Sequence, residues 1–375
     1  MNWILLLQGT YIIVLFLVIL RVLYDTRSST KALAYILFIV LVPVVGILFY
    51  FSFGVNYRKR KLYTKKIVQD KNLRQEIRNR MLAYSEGVLN SGLLAEKHHN
   101  LAEFVRQSSS SPLTANNSVK LLLNGEEKFP EVLKALEAAQ HHIHLEYYIY
   151  EDDATGNSVA DILIKKAQEG VEVRFLYDAF GSNRLGKSFI KKLEVAGVQT
   201  APFYKIKLLA LASRLNYRNH RKIIVIDGRT GFVGGINMSD KYRNDGIGES
   251  KLFWRDTHLM LNGTATAYLQ YLFLCDWNFA SNNALIYNES YFPPPTLTKE
   301  IRKEIVQLAP SGPDSDLPVI FYSLLQAIGS AKEKILITSP YFIPGESLMD
   351  ALIIAAQSGL KVQIIVPGIS DSKMV

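Results

Sequence analysis

Two long apolar runs open the chain. Residues 3–20 are interrupted only by Gln8 and Thr10 as clearly polar side chains, and residues 33–53 form a 21-residue run without a charge. A helix needs roughly 20 apolar residues to cross a bilayer core. The pattern therefore predicts a transmembrane helical hairpin within residues 1–56, turning over residues 21–32. A cleaved secretory leader is the competing reading, but the first run lacks a basic leading segment and a small-residue cleavage site, and a second apolar run follows at once. From residue 57 to 118 the pattern becomes charged and helical and ends in the Ser-rich linker "RQSSSSPLTANNS".

Beyond residue 119 the periodicity alternates. "FPEVLKALEAAQ" and "NSVADILIKKAQEG" read as helices, "HIHLEYYIY" and "VEVRFLYD" as strands. Strands alternating with helices of this length predict an α/β fold around a largely buried sheet. The layout then returns. "ALEAAQHHIHLEYYI" aligns with "AIGSAKEKILITSPYFI" at a shift of 192 residues, and "AQEGVEV" aligns with "AQSGLKV" at a shift of 189. Such agreement predicts an internal duplication, with a first half over 119–290, a Pro-rich linker over 291–318 and the start of a second half over 319–375.

Charge changes the picture only locally. The net charge is +9, yet residues 58–80 hold ten Lys/Arg against Asp70 and Glu76, leaving +1 for everything else. The turn between the apolar runs carries Arg21, Arg27 and Lys31, whereas residues 54–66 carry six Lys/Arg. The more basic side of a membrane segment is usually cytoplasmic, so the bulk of the chain is expected to face the cytoplasm. The 58–80 belt is expected to lie on anionic lipid, where each basic residue contributes on the order of 1 kcal/mol. An almost neutral remainder lacks the phosphate-tracking surface that non-specific nucleic-acid binding requires. Cys275 is the only cysteine, which excludes a disulfide framework or a thiolate metal site.

The candidate chemistry lies in "NHRKIIVIDGRTGFVGGIN", residues 219–237. On a strand, positions i and i+2 share a face, so His220 and Lys222 are expected to project together. A nucleophilic imidazole beside a fixed ammonium suits attack on a phosphodiester. Gly234 and Gly235 would let backbone approach a phosphate, and Asn237 would donate its amide to the same oxygens. Asp227-Gly228 reads as the turn into the next strand.

The full spacing is His-x-Lys, four residues, Asp, six residues, Gly-Gly-x-Asn. It resembles the signature of the phospholipase D superfamily, whose members are built from two similar halves, each giving one such motif to a single site. With the apolar N-terminus, "FGVNYRKRKLY", "LEYYIYEDDATG", "RLNYRNHRKIIVIDG" and "FWRDTHL", nearly the whole chain is similar to bacterial cardiolipin synthases. The resemblance implies a duplicated, mixed-sheet phospholipase D-like α/β domain behind the hairpin, its second half incomplete. The counterpart of the motif would fall near position 410, past Val375. It also implies His220, Lys222 and Asp227 as the catalytic set, and a phosphatidyl transfer from one phosphatidylglycerol to another through a phosphohistidine, without metal or other cofactor.

Four further features bear on the site. Asp256, in "WRDTHL", is the candidate carboxylate that orients the histidine in this superfamily. His142, His144 and Glu146 share a strand face; a metal would need a fourth ligand, so a strand lining the site is the better reading, with Glu146 near the phosphate pocket. His258 receives no role. Residues 205–222 carry six basic and no acidic side chains around an apolar centre, and are expected either to touch the membrane and guide an anionic headgroup or to form an ordinary buried helix. A phospholipase D-type hydrolase remains an alternative, as does an inactive membrane partner. A homodimer would bring two His220 motifs together, as single-motif members of the superfamily do.

Overall fold

The computed structural model describes residues 3–26, 29–51, 75, 81, 84–203, 218–245, 252–281, 285–294, 304–312, 315 and 317–369. The basic belt, apart from Gln75, and residues 205–217 of the basic–apolar stretch lie outside the described residues.

The N-terminal apolar region departs from the expected hairpin. Helix α1 (Trp3–Asp25) has 23 residues, about 35 Å at 1.5 Å per residue. Among the described residues it is the one helix long and apolar enough to cross a membrane. The second run is not one helix. It divides into α2 (Ser29–Leu41) and α3 (Pro43–Phe49). Pro43 has no N–H to donate and forces its predecessor out of the helical region; Val42 sits at φ −134°, ψ 73°. The chain then doubles back. The rings of Phe38 and Phe49 lie 5.4 Å apart, and a Cβ on Gly46 would stand 2.6 Å from the Phe38 carbonyl oxygen, so only glycine admits this approach.

The remaining chain divides between two compact units. The first takes in residues 120–260 and 269–293, and the second residues 74–119, 261–268 and 294–375. In chain order the elements are α4 (His99–Ser109), β1 (Thr114–Leu123), α5 (Asn124–Glu137), β2 (His142–Tyr147), α6 (Ala154–Gln168), β3 (Glu172–Asp178), α7 (Lys187–Val195), β4 (Gln199–Phe203), β5 (Ile223–Ile226), β6 (Thr230–Gly234), β7 (Thr257–Gly263) and α8 (Thr266–Ala280). They are followed by β8 (Glu304–Val306), α9 (Val319–Ser330), β9 (Lys334–Thr338), α10 (Glu346–Gln357) and β10 (Lys361–Ile365).

In the first unit the sheet runs β4-β3-β2-β5-β6-β7. β2 pairs parallel with β3 and antiparallel with β5, so the sheet is mixed. Every residue of β2 and β5 is buried; β5 is a continuous apolar run, as strands covered on both faces usually are, whereas β2 buries His142, His144 and Glu146 between its apolar residues. The core gathers Phe129, Val132 and Leu136 of α5, Val159 and Leu163 of α6, and Ile143, Leu145, Phe175 and Ile224 of the sheet. Asp153 caps α6 by accepting from the Gly156 N–H at 2.9 Å.

In the second unit β8 pairs antiparallel with the start of β1. Farther on, the order α9-β9-α10-β10 mirrors α5-β2-α6-β3, and β9 and β10 pair in parallel. Ile335 faces Val362 there as Ile143 faces Val173 in the first unit.

The β5–β6 hairpin shows what the Asp-Gly turn does. Asp227 and Gly228 both adopt left-handed backbone, at φ 52° and 63°. The Asp227 carboxylate accepts from the N–H groups of Gln140, His141 and His142 at 3.0, 2.8 and 2.9 Å. It thus ties the turn to the start of β2. Hydrogen bonds to a charged acceptor are worth about 1.5–3 kcal/mol each, less in sum. Asp227→Ala is expected to cost on the order of 3 kcal/mol, read as a lower midpoint of denaturant unfolding in detergent.

Candidate active site

His220 and Lys222 do not lie on the strand, as expected, but in the irregular segment that leads into β5. What holds this segment is the pair of residues flanking the histidine. The Asn219 N–H donates to Asp178 Oδ2 at 3.1 Å, and its side-chain amide donates to Glu146 and, at 3.4 Å, to Asp276. The Arg221 guanidinium pairs with Asp276, and the Arg221 N–H donates to Asn219 Oδ1 at 2.9 Å. His220 and Lys222 turn instead to Tyr148, just beyond β2. The His220 and Tyr148 rings stack with centroids 3.7 Å apart. Lys222 Nζ stands 5.4 Å from the Tyr148 ring centroid and donates to the His220 carbonyl at 2.7 Å.

The electrostatics follow from this packing. Partial burial and then the Lys222 charge hold His220 below its usual range, which favours the neutral imidazole. Burial brings Lys222 down to about 8, opposed by Asp256. Asp256 reaches that position because Gly235 has no side chain: a Cβ there would meet the Asp256 carboxylate at 2.2 Å. Burial raises Asp256, while Lys222 and Lys128 act against it. Lys128 is wholly buried and donates to the Ile236 and Asn237 carbonyls at 2.9 and 3.2 Å. Gly234 plays the same part toward His258, whose Nδ1 would lie 2.6 Å from an added Cβ. His258 is buried, and neither of its ring nitrogens has a hydrogen-bond partner among the described residues.

The expected site residues thus separate into groups. His220 and Lys222 come together, with Asp256 close enough to act on Lys222. The charges that act on His220 are Lys222, Asp178 and Arg218 rather than Asp256. Asp227 lies past the other end of β5, roughly 13 Å along at ~3.3 Å per residue. The Asn237 amide faces inward: its Oδ1 accepts from the Ile149 N–H at 3.2 Å and its Nδ2 donates to Tyr242 at 2.5 Å. Glu146 lies beneath Asn219, with burial and then Asp276 pushing its carboxyl upward. His142 and His144 belong to a different network, both against Gln270 Oε1 at 3.0 and 3.1 Å.

Sequence reasoning missed Asp178, Asp276, Tyr148 and Lys128, since nothing in their spacing links them to the motif. Arg218 was visible only as one basic residue among six. Its guanidinium lies 4.1 Å from the Phe180 ring centroid and has no hydrogen-bond partner among the described residues.

Residues 132–272 and 324–375 match the family model described as cardiolipin synthase, PLD-like domain, and residues 11–54 match that of the phospholipase D-nuclease N-terminal region. The chain is 42% identical over 363 residues to the cardiolipin synthase of Alkalihalophilus pseudofirmus, covering 94% of this chain and 69% of that one. The chain belongs to the cardiolipin synthase family. It is also 42% identical to the Halalkalibacterium halodurans cardiolipin synthase, over 94% of this chain and 68% of the relative. Among solved structures it is similar to the phosphatidylserine synthase of Haemophilus influenzae Rd KW20, at 16% identity and a TM-score of 0.48, covering 71% of this chain and 65% of that one. Membership makes the chain a phosphatidyltransferase of the phospholipase D superfamily.

For this family's reaction the Gly235–Asp256 contact gives a direct test. Gly235→Ala is expected to push Asp256 away from Lys222 and lower turnover about 100-fold, the scale of an ångström-sized misplacement. Cardiolipin formation in phosphatidylglycerol vesicles measures it, and turnover within threefold of the parent would refute the role of this contact.

Proposed function

We propose that the chain carries the nucleophilic half of a cardiolipin synthase site and that His220 holds the phosphatidyl group. A neutral His220 nitrogen attacks the phosphorus of one phosphatidylglycerol. The P–N bond forms as the P–O bond to the headgroup glycerol breaks, and a proton goes to the departing glycerol oxygen. A headgroup hydroxyl of a second phosphatidylglycerol then attacks the phosphorus, gives up its proton and releases His220, completing cardiolipin. The histidine of a second motif, supplied by further chain or by a second copy in a homo-oligomer, serves as the acid and then the base. The observation that carries this reading is the partly buried His220 ring stacked on Tyr148 beside Lys222.

Lys222 and Arg218 neutralise the non-bridging phosphate oxygens in this scheme. Gly235, Asn237, Asp256 and Glu146 shape the pocket from behind, Asn237 through its bonds to Ile149 and Tyr242 rather than by touching phosphate. Asp227 acts by fixing the hairpin. The duplicated layout supports a second, equivalent half, and the asymmetry of basic residues supports a cytoplasmic site on anionic lipid.

Incubation with acyl-labelled phosphatidylglycerol tests the reaction: transfer yields labelled cardiolipin, whereas hydrolysis would yield phosphatidic acid. His220→Ala is expected to abolish both product and acid-labile label on the protein. Labelled His220→Ala protein would remove the histidine from the role of nucleophile.

The pH dependence has a defined sign. The Lys222 charge is present below about 8 and lost above it, so turnover is expected to fall on the alkaline side near that pH. Asp256 opposes the depression of Lys222, so Asp256→Asn should move the alkaline limb to lower pH. A limb that stays in place or moves upward would exclude Lys222 as its source.

A further inference from the structure

The fold-back of α2 and α3 bears on how the chain sits in a bilayer. α2 has 13 residues and α3 seven, about 20 and 10 Å of helix, and neither crosses a hydrocarbon core of ~30 Å. Their association is not loose. Phe38 packs on Phe49, Gly46 admits contact with the Phe38 and Ile39 backbone, and Tyr35 meets Tyr50 with ring centroids 5.4 Å apart. Tyr50 closes the path. Its hydroxyl lies 3.3 Å from the Arg21 carbonyl and 3.4 Å from Asp25 Oδ2, so the chain at residue 50 has returned to the end of α1 from which α2 set out.

The reversal exposes apolar surface at its apex: Leu41 is 77% exposed, Val44 69% and Val45 54%. An apex of this kind is stable in hydrocarbon only if its backbone groups are satisfied. The Val42 N–H donates to Phe38 O at 3.0 Å, the Gly46 N–H to Val42 O at 2.6 Å, and Pro43 has no N–H. Charge placement agrees. If the second run crossed the membrane, Arg21, Arg27 and Lys31 would face the side opposite the six Lys/Arg of residues 54–66. With the fold-back, residue 51 returns to the side that carries Arg21, and residues 1–20 hold no Lys/Arg.

We propose that α2 and α3 form a re-entrant wedge that binds one leaflet of the bilayer. The chain crosses the membrane once, through α1, and residue 51 emerges on the same side as the C-terminal end of α1. The N-terminus then faces the opposite side from the phosphatidyltransferase units. The wedge places apolar side chains among acyl chains of the leaflet whose headgroups meet the basic residues.

Single-cysteine reporters test this. Cys275 is buried and serves as the unlabelled background. Thr30→Cys at the start of α2 and Val195→Cys on α7 are probed with a membrane-impermeant maleimide. Both are expected to label in inside-out vesicles and to be protected in intact cells. Labelling of Thr30→Cys in intact cells, with Val195→Cys protected, would overturn the proposal. A second measurement does not depend on sidedness. Nitroxides at Thr30→Cys and Phe51→Cys should give a dipolar distance below roughly 20 Å, whereas 21 residues of continuous helix would separate them by about 32 Å. The longer distance would restore a spanning helix.

Discussion

The antiparallel pairing of β5 with β2 is the constraint on which the site depends. It sets Glu146 opposite Ile223 and Ile143 opposite Ile226. One end of β5 therefore delivers the His220 segment to Tyr148 and Glu146, and the other delivers Asp227 to the N–H groups that begin β2. A one-residue slip would turn every buried side chain of β5 to the opposite face. The Asp227 clamp opposes that slip with three hydrogen bonds, accepted by its carboxylate from the N–H groups at the start of β2. The two ends of the motif thus have separate duties: one presents chemistry, the other holds register.

Buried charge decides the rest of the site. Lys128, Lys222, Asp256 and His258 lie behind the two glycines, with more potential cations than anions. A buried ammonium keeps its charge only if opposing charge or hydrogen bonds offset desolvation. Lys128 has two carbonyls, and Lys222 has the His220 carbonyl and the Asp256 charge. An arriving phosphate diester would bring the negative charge that this set lacks. On the other side of the segment the balance is reversed: Glu146, Asp276 and Asp178 hold Asn219 and Arg221. His220 sits at the boundary between these two fields.

The apolar N-terminus shows how one proline changes a topology. Hydropathy sums over a window and treats residues 33–53 as one element. Packing treats Val42-Pro43 as a break, and Gly46 then lets two short helices touch. The segment remains as apolar as a span while its ends return to one level.

The sequence by itself determined the elements with strong periodicity: α1, the helix–strand alternation of the first unit, the hairpin turn at Asp227-Gly228 and the His-x-Lys signature with its family. These are local patterns, set by the period of apolar residues, the φ preference of Asp-Gly and a short spacing. Tertiary structure alone decided which side chains meet. Asp178, Asp276, Tyr148 and Lys128 reach the motif from β3, α8, the end of β2 and α5, at separations that no local pattern encodes. The type and position of Asn237 suit a phosphate donor; only packing shows its amide bonded to Ile149 and Tyr242. Resemblance pairs Asp256 with His220, whereas the space left by Gly235 brings it toward Lys222. Side-chain type limits what a residue can do, and the three-dimensional path of the chain determines which partner it does it with.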